Sequence, residues 1–314
     1  MAVTTLEIPA KPRAARRPRP PGYASQMAFV ASGLIPILAL FAIFAFAPVG
    51  IVLWLSLHRY NQLAPTAPFI GLRNYEFAFT QDPYFTNALF VTLKYALVAV
   101  PFNLIIALPI AMGLNQVTRL RAVFRSAFFL PTVASAVAVS LIWNFMYQPQ
   151  AGVLNAFLGS VGLPQPSWMA DPAVTLWAIL VTAVWQDLGY NILILLAGLQ
   201  TIPDDFYDAA KVDGAGPFAR FKDVTIPLLS RTLLLVTVLT MISYLQQFTY
   251  VNIMPAGGPG GPIHTTETLV LYVNTKAFSN MQLGYASAIS VVLMAIILIV
   301  TLIQFRFLRT RWEY

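Results

Sequence analysis

Long apolar stretches separated by short polar ones run along most of the chain. Six stretches are long enough to cross the roughly 30 Å hydrocarbon core of a bilayer as a helix, which takes about 20 mostly apolar residues. The segments between them are rich in Pro, Gly, Asn, Asp and charged residues. The predicted spans cover residues 27–57, 86–115, 122–146, 173–199, 232–254 and 284–308. The pattern predicts an all-α polytopic membrane protein with six transmembrane helices.

Composition agrees with a protein that faces lipid. Hydrophobic residues make up 58% of the 314 residues and charged residues only 10%, whereas a soluble domain carries about 25% charged residues. The net charge of +7 could suggest nucleic acid, but the basic residues cluster between the apolar stretches, so we expect a lipid bilayer and no nucleic acid as partner. Cys is absent, which excludes disulfides and thiolate metal sites.

The placement of Lys and Arg predicts the orientation. Fifteen of the 19 lie in the N-terminal tail, between spans two and three, between spans four and five, or after span six. The other loops hold only Arg59, Arg73 and Lys276, and Lys94 lies within span two. Because Lys and Arg concentrate in cytoplasmic loops, both termini are predicted to be cytoplasmic. We expect a multi-pass protein of the cell (inner or plasma) membrane.

Three segments follow from these patterns. Residues 1–26, rich in Pro and basic residues, are expected to be a disordered cytoplasmic tail. Residues 27–85 hold the first span and an external loop, and residues 86–314 form a core of five spans. A cleaved signal peptide is not expected, because the first apolar stretch is long enough to span and no small-residue cleavage site ends it.

The cytoplasmic loop 203–228 carries the clearest local signals. Asp204 and Asp205 favour the start of a short helix. Two glycines and two prolines follow in the order Gly214, Gly216, Pro217 and Pro227. The glycines predict the end of the first helix, the first proline predicts the start of a second short helix, and the last proline predicts the end of that helix.

One face of the first helix is small because of Ala209 and Ala210, so another surface can approach its backbone. Phe206 and Phe218 could anchor that surface beside it. Such a protrusion suits a groove on a soluble partner.

The spacing in this loop resembles that of the permease subunits of binding-protein-dependent ABC importers. Their pattern is Glu-Ala-Ala, three residues, Gly, nine residues and Ile-x-Leu-Pro. In this chain it reads Asp208-Ala209-Ala210, then Gly214, then Val224-Thr225-Ile226-Pro227. The spacing matches in full, with Asp for Glu, Val for Ile and Ile for Leu. Further similar segments are Phe69 to Tyr75, Leu196 to Pro203, Gly257 to Pro259 and Leu283 to Ala288. Together they look like the carbohydrate uptake class, which includes maltose and glycerol-phosphate systems.

The resemblance implies a type I ABC importer permease fold and a coupling helix that sits in a groove of an ATPase. The residues it assigns to ATPase coupling are Asp208, Ala209, Ala210, Asp213, Gly214, Val224, Ile226 and Pro227. It also implies three partners: a second homologous permease, an ABC ATPase dimer and an extracytoplasmic solute-binding protein that contacts loops near 147–172 and 255–283. ATP binding would draw the coupling helices together and open the pore outward, and hydrolysis would reset it.

The sequence carries no nucleotide site and no catalytic motif. It lacks the Gly-x4-Gly-Lys-Ser/Thr run that holds phosphates, and it lacks His-Glu-x-x-His and Gly-x-Ser-x-Gly. His58 and His264, without an acidic cluster, make a poor metal site. We therefore expect a transport subunit and no enzyme, with no cofactor on this chain and with ATP and magnesium on the partner ATPase.

Polar residues within the spans are candidates for the substrate pathway, because ionisable groups in a bilayer are costly and aromatic rings beside amides suit a sugar. The candidates are Lys94, Asn144, Asp187, Asn191, Tyr244, Gln246, Gln247 and Tyr250. The alternative is interhelical hydrogen bonding plus an interfacial aromatic belt, with Tyr147, Tyr250 and Trp168 as belt members. Asp187 and Lys94 could instead form a structural pair.

The function expected from these signals is half of a translocation pore for a sugar or oligosaccharide. A neutral solute is favoured because Lys94 is the only basic group among the pathway candidates, and a glycerol-3-phosphate importer is the alternative. A carrier driven by an ion gradient would need a relay of charges, for which one Asp and one Lys are poor material. An ABC exporter would not need a binding protein.

Overall fold

The computed structural model describes residues 23–63, 66–116 and 121–308. Contacts along the backbone divide the chain into two compact units, Met1–Ile51 and Val52–Tyr314. In the described ranges the only β-pairing is an isolated antiparallel bridge between His58 and Phe69. The helices given in the next paragraphs confirm the predicted all-α class.

The first span is one run of helix. It consists of α1 (Tyr23–Phe41), a π-helical turn (Ala42–Phe46) and α2 (Ala47–Ser56). The helix starts at Tyr23, four residues before the predicted start of the span at residue 27. Residues 1–22 of the predicted tail lie outside the described residues.

The remaining helices follow in chain order. They are α3 (Arg73–Thr80), α4 (Pro83–Gln116), α5 (Arg121–Val133), α6 (Ala136–Met146), α7 (Val153–Ser160), α8 (Thr175–Leu199), α9 (Asp204–Val212), α10 (Pro217–Arg220), α11 (Ile226–Leu245), α12 (Thr249–Ile253), α13 (Leu269–Asn274) and α14 (Leu283–Leu308). π-Helical turns at Phe221–Thr225 and Thr275–Ser279 and a 3-10 turn at Pro262–His264 join some of them.

Five helices in the described part of the chain are long and apolar enough to cross a membrane. Three of them, Pro83–Gln116, Thr175–Leu199 and Leu283–Phe307, match predicted spans within about three residues at each end. The first is Ala28–Ser56. The other helix, Pro217–Ile253, corresponds to the fifth predicted span and begins 15 residues before its predicted start at residue 232.

The predicted third span, 122–146, is not one straight helix. Its two halves, Ala122–Val133 and Ala136–Met146, meet at an angle of 97°. Ser135 has an extended backbone (φ −62°, ψ 132°) and its carbonyl accepts the first hydrogen bond of α6, from the Val139 N–H. The described part of the chain therefore has up to six spans, and the sixth exists only if this bent pair is counted as one span.

Helix α8 is at the centre of the second unit and packs against α4, α5 and α11. The second unit has three groups of buried apolar side chains, and two of them include residues of α8. One lies among α4, α6, α8, α11 and α12 around Ile179 and Tyr244, and another among α4, α8 and α11 around Leu195 and Leu229. The third joins the start of α4 to α13 and α14 around Phe85 and Ile289.

Candidate functional site: the cytoplasmic loop and the polar interior

The first helix of the predicted docking loop forms as expected. α9 begins at Asp204, after Pro203 with extended backbone, and it carries Asp204 and Asp205 in its first turn and Lys211 in its last. These charges suit the two ends of the helix dipole. The Lys211 Nζ lies 2.7 Å from the Asp208 Oδ1, and both side chains are exposed, so this ion pair contributes little to stability.

Gly214 ends α9 in the way the sequence predicts. Its φ is +77°, the left-handed region that glycine enters without a steric cost. The Gly214 N–H donates to the Lys211 carbonyl (3.0 Å) and the Ala215 N–H donates to the Ala210 carbonyl (2.8 Å). These two bonds form a Schellman motif. Gly216 has ordinary extended backbone (φ −68°, ψ 172°) and precedes α10, so it starts the second helix and does not end the first.

The second helix of the loop does not stop near Pro227, which corrects the sequence prediction. α10, the π-helical turn and α11 follow one another without a break from Pro217 to Leu245. In the π-helical turn the Ile226 N–H donates to the Phe221 carbonyl. A π-helical turn changes the hydrogen-bond ladder locally, and here the helix continues through the proline that follows it.

The coupling motif has two parts with different surroundings. Asp208, Ala209, Asp213 and Gly214 are exposed and Ala210 is half-buried. Val224, Ile226 and Pro227 are half-buried, in the stem of the loop. A contact between the Tyr207 hydroxyl and the Thr225 Oγ1 (3.2 Å) joins α9 to that stem. The first part of the motif can therefore meet another protein, whereas the second part holds the loop on the bundle.

Exposed apolar side chains surround the tip of the loop. Phe206 and Phe218, named from the sequence, are 41% and 76% exposed. Val212, which sequence reasoning missed, is 88% exposed in the last turn of α9. Gly214, two positions further on, marks the end of α9. That helix end was the sequence signal that could have identified Val212. Apolar side chains grouped on a protrusion are a feature of interaction surfaces.

Inside the bundle, polar candidates form one chain of hydrogen bonds across α4, α8 and α11. Thr240 donates to Asn191 (3.3 Å), Asn191 donates to Asn103 (2.7 Å), and Asn103 donates to the Tyr244 hydroxyl (3.1 Å). The Tyr244 hydroxyl is in turn hydrogen-bonded to the Asp187 carboxyl. The first four side chains are buried and Asp187 is half-buried. Asp187 is thus the member of this chain that a solute could reach.

Two members of the hydrogen-bond chain, Asn103 and Thr240, were not among the sequence candidates. Asn103 is a fully buried amide in an otherwise apolar stretch of α4. That isolation was the available signal, since a buried amide in a bilayer must find a partner.

Lys94 does not pair with Asp187. Lys94 is exposed on α4, and its Nζ lies 4.9 Å from the centre of the Trp177 ring, a cation–π arrangement. The ion pairs among the described residues do not include Lys94 with Asp187. The predicted structural pair is therefore not formed.

The predicted aromatic belt is wrong for two of its three members. Tyr147 and Tyr250 are buried, at 3% and 5% exposure, whereas a belt residue faces the bilayer. Because α6 folds back at the 97° bend, it packs against α8 and α12. The Tyr147 hydroxyl donates to the Ala178 carbonyl of α8 (2.9 Å). The third member, Trp168, donates from its indole nitrogen to Asn155 (2.7 Å).

Two of the remaining pathway candidates, Asn144 and Gln246, each border a shallow cavity. Asn144 borders one of about 320 Å³, together with Tyr147, Gln148, Met169 and Met254. The Asn144 Oδ1 is buried there without a hydrogen-bond partner.

Gln246 and Gln247 follow the end of α11. Gln246 borders a second cavity of about 280 Å³ between α13 and α14. The Gln247 carbonyl accepts from the Thr268 hydroxyl (2.8 Å), so the Gly-rich loop before α13 is tied to this helix break. Gln246 thus borders a cavity that Asp187 does not line. Gln247 lies near the Asp187 hydrogen-bond chain, because its side chain interacts with Tyr95, whose ring packs edge-on against Tyr244 at 5.8 Å.

A second polar cluster lies before α4, outside the predicted site. Asp82 caps α4 through the Tyr84 and Phe85 N–H groups (3.0 and 3.2 Å), and it accepts from the hydroxyls of Tyr272 and Tyr285. Burial alone would raise the pKa of the Asp82 carboxyl, but these hydrogen bonds and the nearby Lys276 ammonium hold that pKa below its usual value.

Glu267 and His264 lie close to this cluster. The Glu267 carboxyl is 2.7 Å from the His264 Nδ1, and burial raises the pKa of Glu267 despite that neighbour. Within the described ranges, no three His, Asp or Glu side chains are close enough to hold a metal ion.

A model of the family described as "binding-protein-dependent transport system inner membrane component" matches residues 105–313. The chain is 33% identical over 278 residues to the trehalose/maltose transport system permease protein MalF of Thermococcus litoralis, which covers 88% of this chain and 92% of that protein. It is 37% identical over 299 residues to the probable ABC transporter permease protein YesP of Bacillus subtilis, with 94% and 93% covered. It is 30% identical over 284 residues to the sn-glycerol-3-phosphate transport system permease protein UgpA of Yersinia pestis, with 90% and 94% covered.

Solved structures show the same fold. The chain superposes with a TM-score of 0.79 and 20% identity on a chain of a bacterial ABC transporter involved in the import of the acidic polysaccharide alginate, over 92% of this chain and 98% of that one. The alginate transporter has also been solved in complex with an alginate pentasaccharide-bound periplasmic protein, with a TM-score of 0.79 and 20% identity to a chain of it.

Proposed function

Because this chain belongs to the binding-protein-dependent inner membrane components and is the multi-pass permease subunit of an ABC importer, we propose that it forms half of a pore for a neutral sugar or oligosaccharide. In such importers ATP is hydrolysed by a separate ATPase chain. The observation that carries the proposal is the Asp187 carboxyl, which ends a buried hydrogen-bond chain and is itself half-buried.

A carboxylate held in place by Tyr244 accepts hydrogen bonds from hydroxyl groups, which a sugar supplies in number. The same charge repels a phosphate. Lys94 does not offset that repulsion, because its ammonium lies over the Trp177 ring. The relative that is named for trehalose and maltose transport agrees with this chemistry.

Glycerol 3-phosphate is the second candidate solute. The relative named for its transport is 30% identical over 284 residues. An anion would need a positive group from the second permease, because Asp187 supplies the opposite charge.

The exposed tip of the docking loop supports an ABC ATPase dimer as the cytoplasmic partner. α9 presents the small side chains of Ala209 and Ala210 between the exposed apolar groups of Phe206 and Val212. This is the form of a helix that enters a groove. Closure of the ATPase dimer would pull α9, and through α8 and the stem of α11 the spans would rearrange to open the pore outward. Hydrolysis would reset it inward.

The other partners are a second homologous permease and an extracytoplasmic solute-binding protein. The binding protein would deliver solute to the loops near 147–172 and 255–283. ATP and magnesium would bind on the ATPase, and this chain would hold no cofactor.

The test is uptake by the assembled importer in proteoliposomes, with ATP inside and loaded binding protein outside. We expect uptake of labelled maltose or trehalose that requires internal ATP and the binding protein and that ignores an uncoupler. Asp187→Asn should raise the solute concentration needed for half-maximal uptake, by about tenfold for a lost charge-assisted hydrogen bond. Glu76→Gln, an exposed acid on α3, is the control and should leave uptake unchanged.

Two outcomes would contradict the proposed solute. One is uptake of labelled glycerol 3-phosphate in preference to both sugars. The other is an Asp187→Asn variant with wild-type sugar uptake. Uptake that continues without the binding protein would contradict delivery by it.

A further inference from the structure

The bend between α5 and α6 leaves a carbonyl outside both helices. α5 ends at Val133 and α6 begins at Ala136, so the Ala134 carbonyl belongs to neither regular ladder. A helix end in a bilayer must find a partner for such a group, since lipid offers none.

Gln186 of α8 supplies that partner, and the contact is reciprocal. The Gln186 Nε2 donates to the Ala134 carbonyl (2.7 Å). The Thr132 hydroxyl, on the other side of the same bend, donates to the Gln186 backbone carbonyl (2.9 Å). Gln186 is only 6% exposed. One residue of α8 therefore holds the bend by two hydrogen bonds.

One turn further along α8, the backbones touch. A Cβ added at Gly189 would lie 2.1 Å from the Phe128 carbonyl oxygen and 2.7 Å from the Thr132 Oγ1. Both distances are far below van der Waals contact. α5 therefore lies directly on α8 here, and α5 cannot slide along α8 without breaking the Gln186 bonds.

From these contacts we propose that Gln186 is a positioning residue that makes α6 follow α8 during transport. This rests on the proposed function above in so far as α8 is the helix that the coupling loop moves. α8 leads through Pro203 into α9, and it carries Gln186 near its middle. α6 carries Asn144 and ends at Met146, and the next residue, Tyr147, borders the same cavity as Asn144.

The proposed helix movements follow one order. Movement of α9 displaces α8, and the Gln186 bonds carry the displacement into the bend. The bend at Ala134 and Ser135 and the helix α6 then move with α8 as one body, and the cavity that Asn144 lines with Met169 and Met254 changes shape. Asp187, the next residue, belongs to the hydrogen-bond chain of α4 and α11, so the same turn of α8 also reaches the polar interior.

The test compares Gln186→Leu with wild type in the assembled importer in proteoliposomes. Leu keeps the approximate volume and removes the amide. We expect the amount of solute imported per ATP hydrolysed to fall about threefold to tenfold, the effect of one lost hydrogen bond on a conformational equilibrium. The ATPase should still co-purify in wild-type amount.

Thr132→Val is a second variant in case Gln186→Leu fails to fold. It removes the reciprocal hydrogen bond and should lower the same ratio of solute imported to ATP hydrolysed. Gln81→Leu, an exposed glutamine beside α3, is the control.

A distance measurement tests the proposal without reference to the cargo. The chain has no Cys, so introduced cysteines are the only sites that a spin label can attach to. The labels are placed at two exposed positions, Leu141→Cys on α6 and Val181→Cys on α8. In the wild-type background we expect one narrow distance with and without ATP. With Gln186→Leu or Thr132→Val the distribution should broaden.

Unchanged distances together with an unchanged import ratio in both variants would overturn the role of Gln186. A fall in uptake that only follows a loss of assembled complex, with a narrow distance retained, would also overturn it. If the importer instead carries glycerol 3-phosphate, the ratio is measured with that solute, so failure of the sugar proposal and failure of this one are distinguishable.

Discussion

Asp82 shows how much one carboxylate can hold together. It caps the start of α4 and receives the hydroxyls of Tyr272 on α13 and Tyr285 on α14. The Lys276 ammonium lies over both tyrosine rings, 5.0 and 5.8 Å from their centres. The start of α4 thus meets α13 and α14, about 200 residues later in the chain, at one carboxylate, which makes their packing depend on its charge.

Asp82→Asn should lower the melting temperature of the purified protein at pH 7. The pKa of Asp82 is lowered in the folded state, so its contribution is present above the unfolded pKa of about 3.9 and is lost as the pH falls through the folded value. The expected loss is about 2–4 °C for each kcal/mol removed. The difference between wild type and variant should be constant from pH 7 to pH 5 and should shrink below about pH 4.

Asp171→Asn is the matched control, because Asp171 also accepts a backbone N–H near a helix start, from Ala173 at 2.9 Å. It should lower the melting temperature at pH 7 by less than Asp82→Asn does. A wild-type melting temperature for Asp82→Asn at pH 7 would contradict the role given to this carboxylate.

At the scale of single residues, the sequence indicated which polar side chains matter but not which groups they bond to. Asp187, Asn191 and Tyr244 were named as polar candidates, and the structure joins them in one chain of hydrogen bonds. Lys94 was named for the same reason, yet its ammonium lies over Trp177. Whether a polar side chain meets the hydrogen-bond chain depends on how its helix is rotated about its own axis. That rotation is set by packing across the whole bundle, and no local pattern encodes it.

At the scale of the element, the turn after α9 is the part of the loop most closely specified by local sequence. Only a residue free to adopt φ +77° can close the Schellman motif at Gly214. A side chain there would meet nothing within 4 Å, so backbone conformation alone requires the glycine. The turn determines the direction in which α10 leaves α9.

Substitutions at the two glycines should therefore differ. Gly214→Ala should weaken co-purification of the ATPase, because a left-handed non-glycine residue costs about 1–2 kcal/mol. Gly214→Pro should abolish it, since proline cannot adopt this φ and removes the N–H that Lys211 binds. Gly216→Ser is the control, because Gly216 has an ordinary φ and serine is a good helix cap. Membrane insertion should be intact in all three.

Normal ATPase recovery with Gly214→Pro would contradict docking through this loop. Ala209→Glu, which places a charge on the exposed small face, should reproduce the loss without touching the turn. Recovery with both variants would remove the loop from the interface.

Two elements were beyond local reasoning. The helix runs through Pro227 because the π-helical turn at Phe221–Thr225 precedes it, and sequence patterns carry no distinct signal for such a turn. The bend at Ala134 and Ser135 follows Pro131, and a proline alone does not specify the angle of a bend. The 97° bend also has a hydrogen bond from the Gln186 side chain to the Ala134 carbonyl, and Gln186 lies 52 positions further along the chain.

At the scale of the whole molecule, the number and approximate limits of the spans came from apolar length alone. This works because a bilayer imposes a fixed length on every crossing helix. Charge placement adds the orientation, with the loop at residues 203–228 inside and the loops near residues 255–283 outside. Both termini share the side of the docking loop in this prediction.

Introduced cysteines test that orientation, because the chain has none of its own. Asp205→Cys in α9 and Ser279→Cys before α14 are both exposed positions. In intact cells a membrane-impermeant maleimide should label only the second, and in inverted vesicles only the first. Labelling of both from one side would contradict the positive-inside orientation. Labelling of both after detergent treatment is the control for reactivity.

The close approaches of α8 also have a genetic consequence. A Cβ at Gly189 would meet the Phe128 carbonyl at 2.1 Å, and a Cβ at Gly198 would meet the Thr232 side chain at 2.4 Å. In a survey of random substitutions, most apolar positions of this helix should accept another apolar residue. Gly189 and Gly198 should reject even alanine. A suppressor for Gly198→Ala could arise by shortening Thr232, since its side chain can shrink. No single substitution can remove the backbone carbonyl that blocks Gly189, so its loss should have no such suppressor.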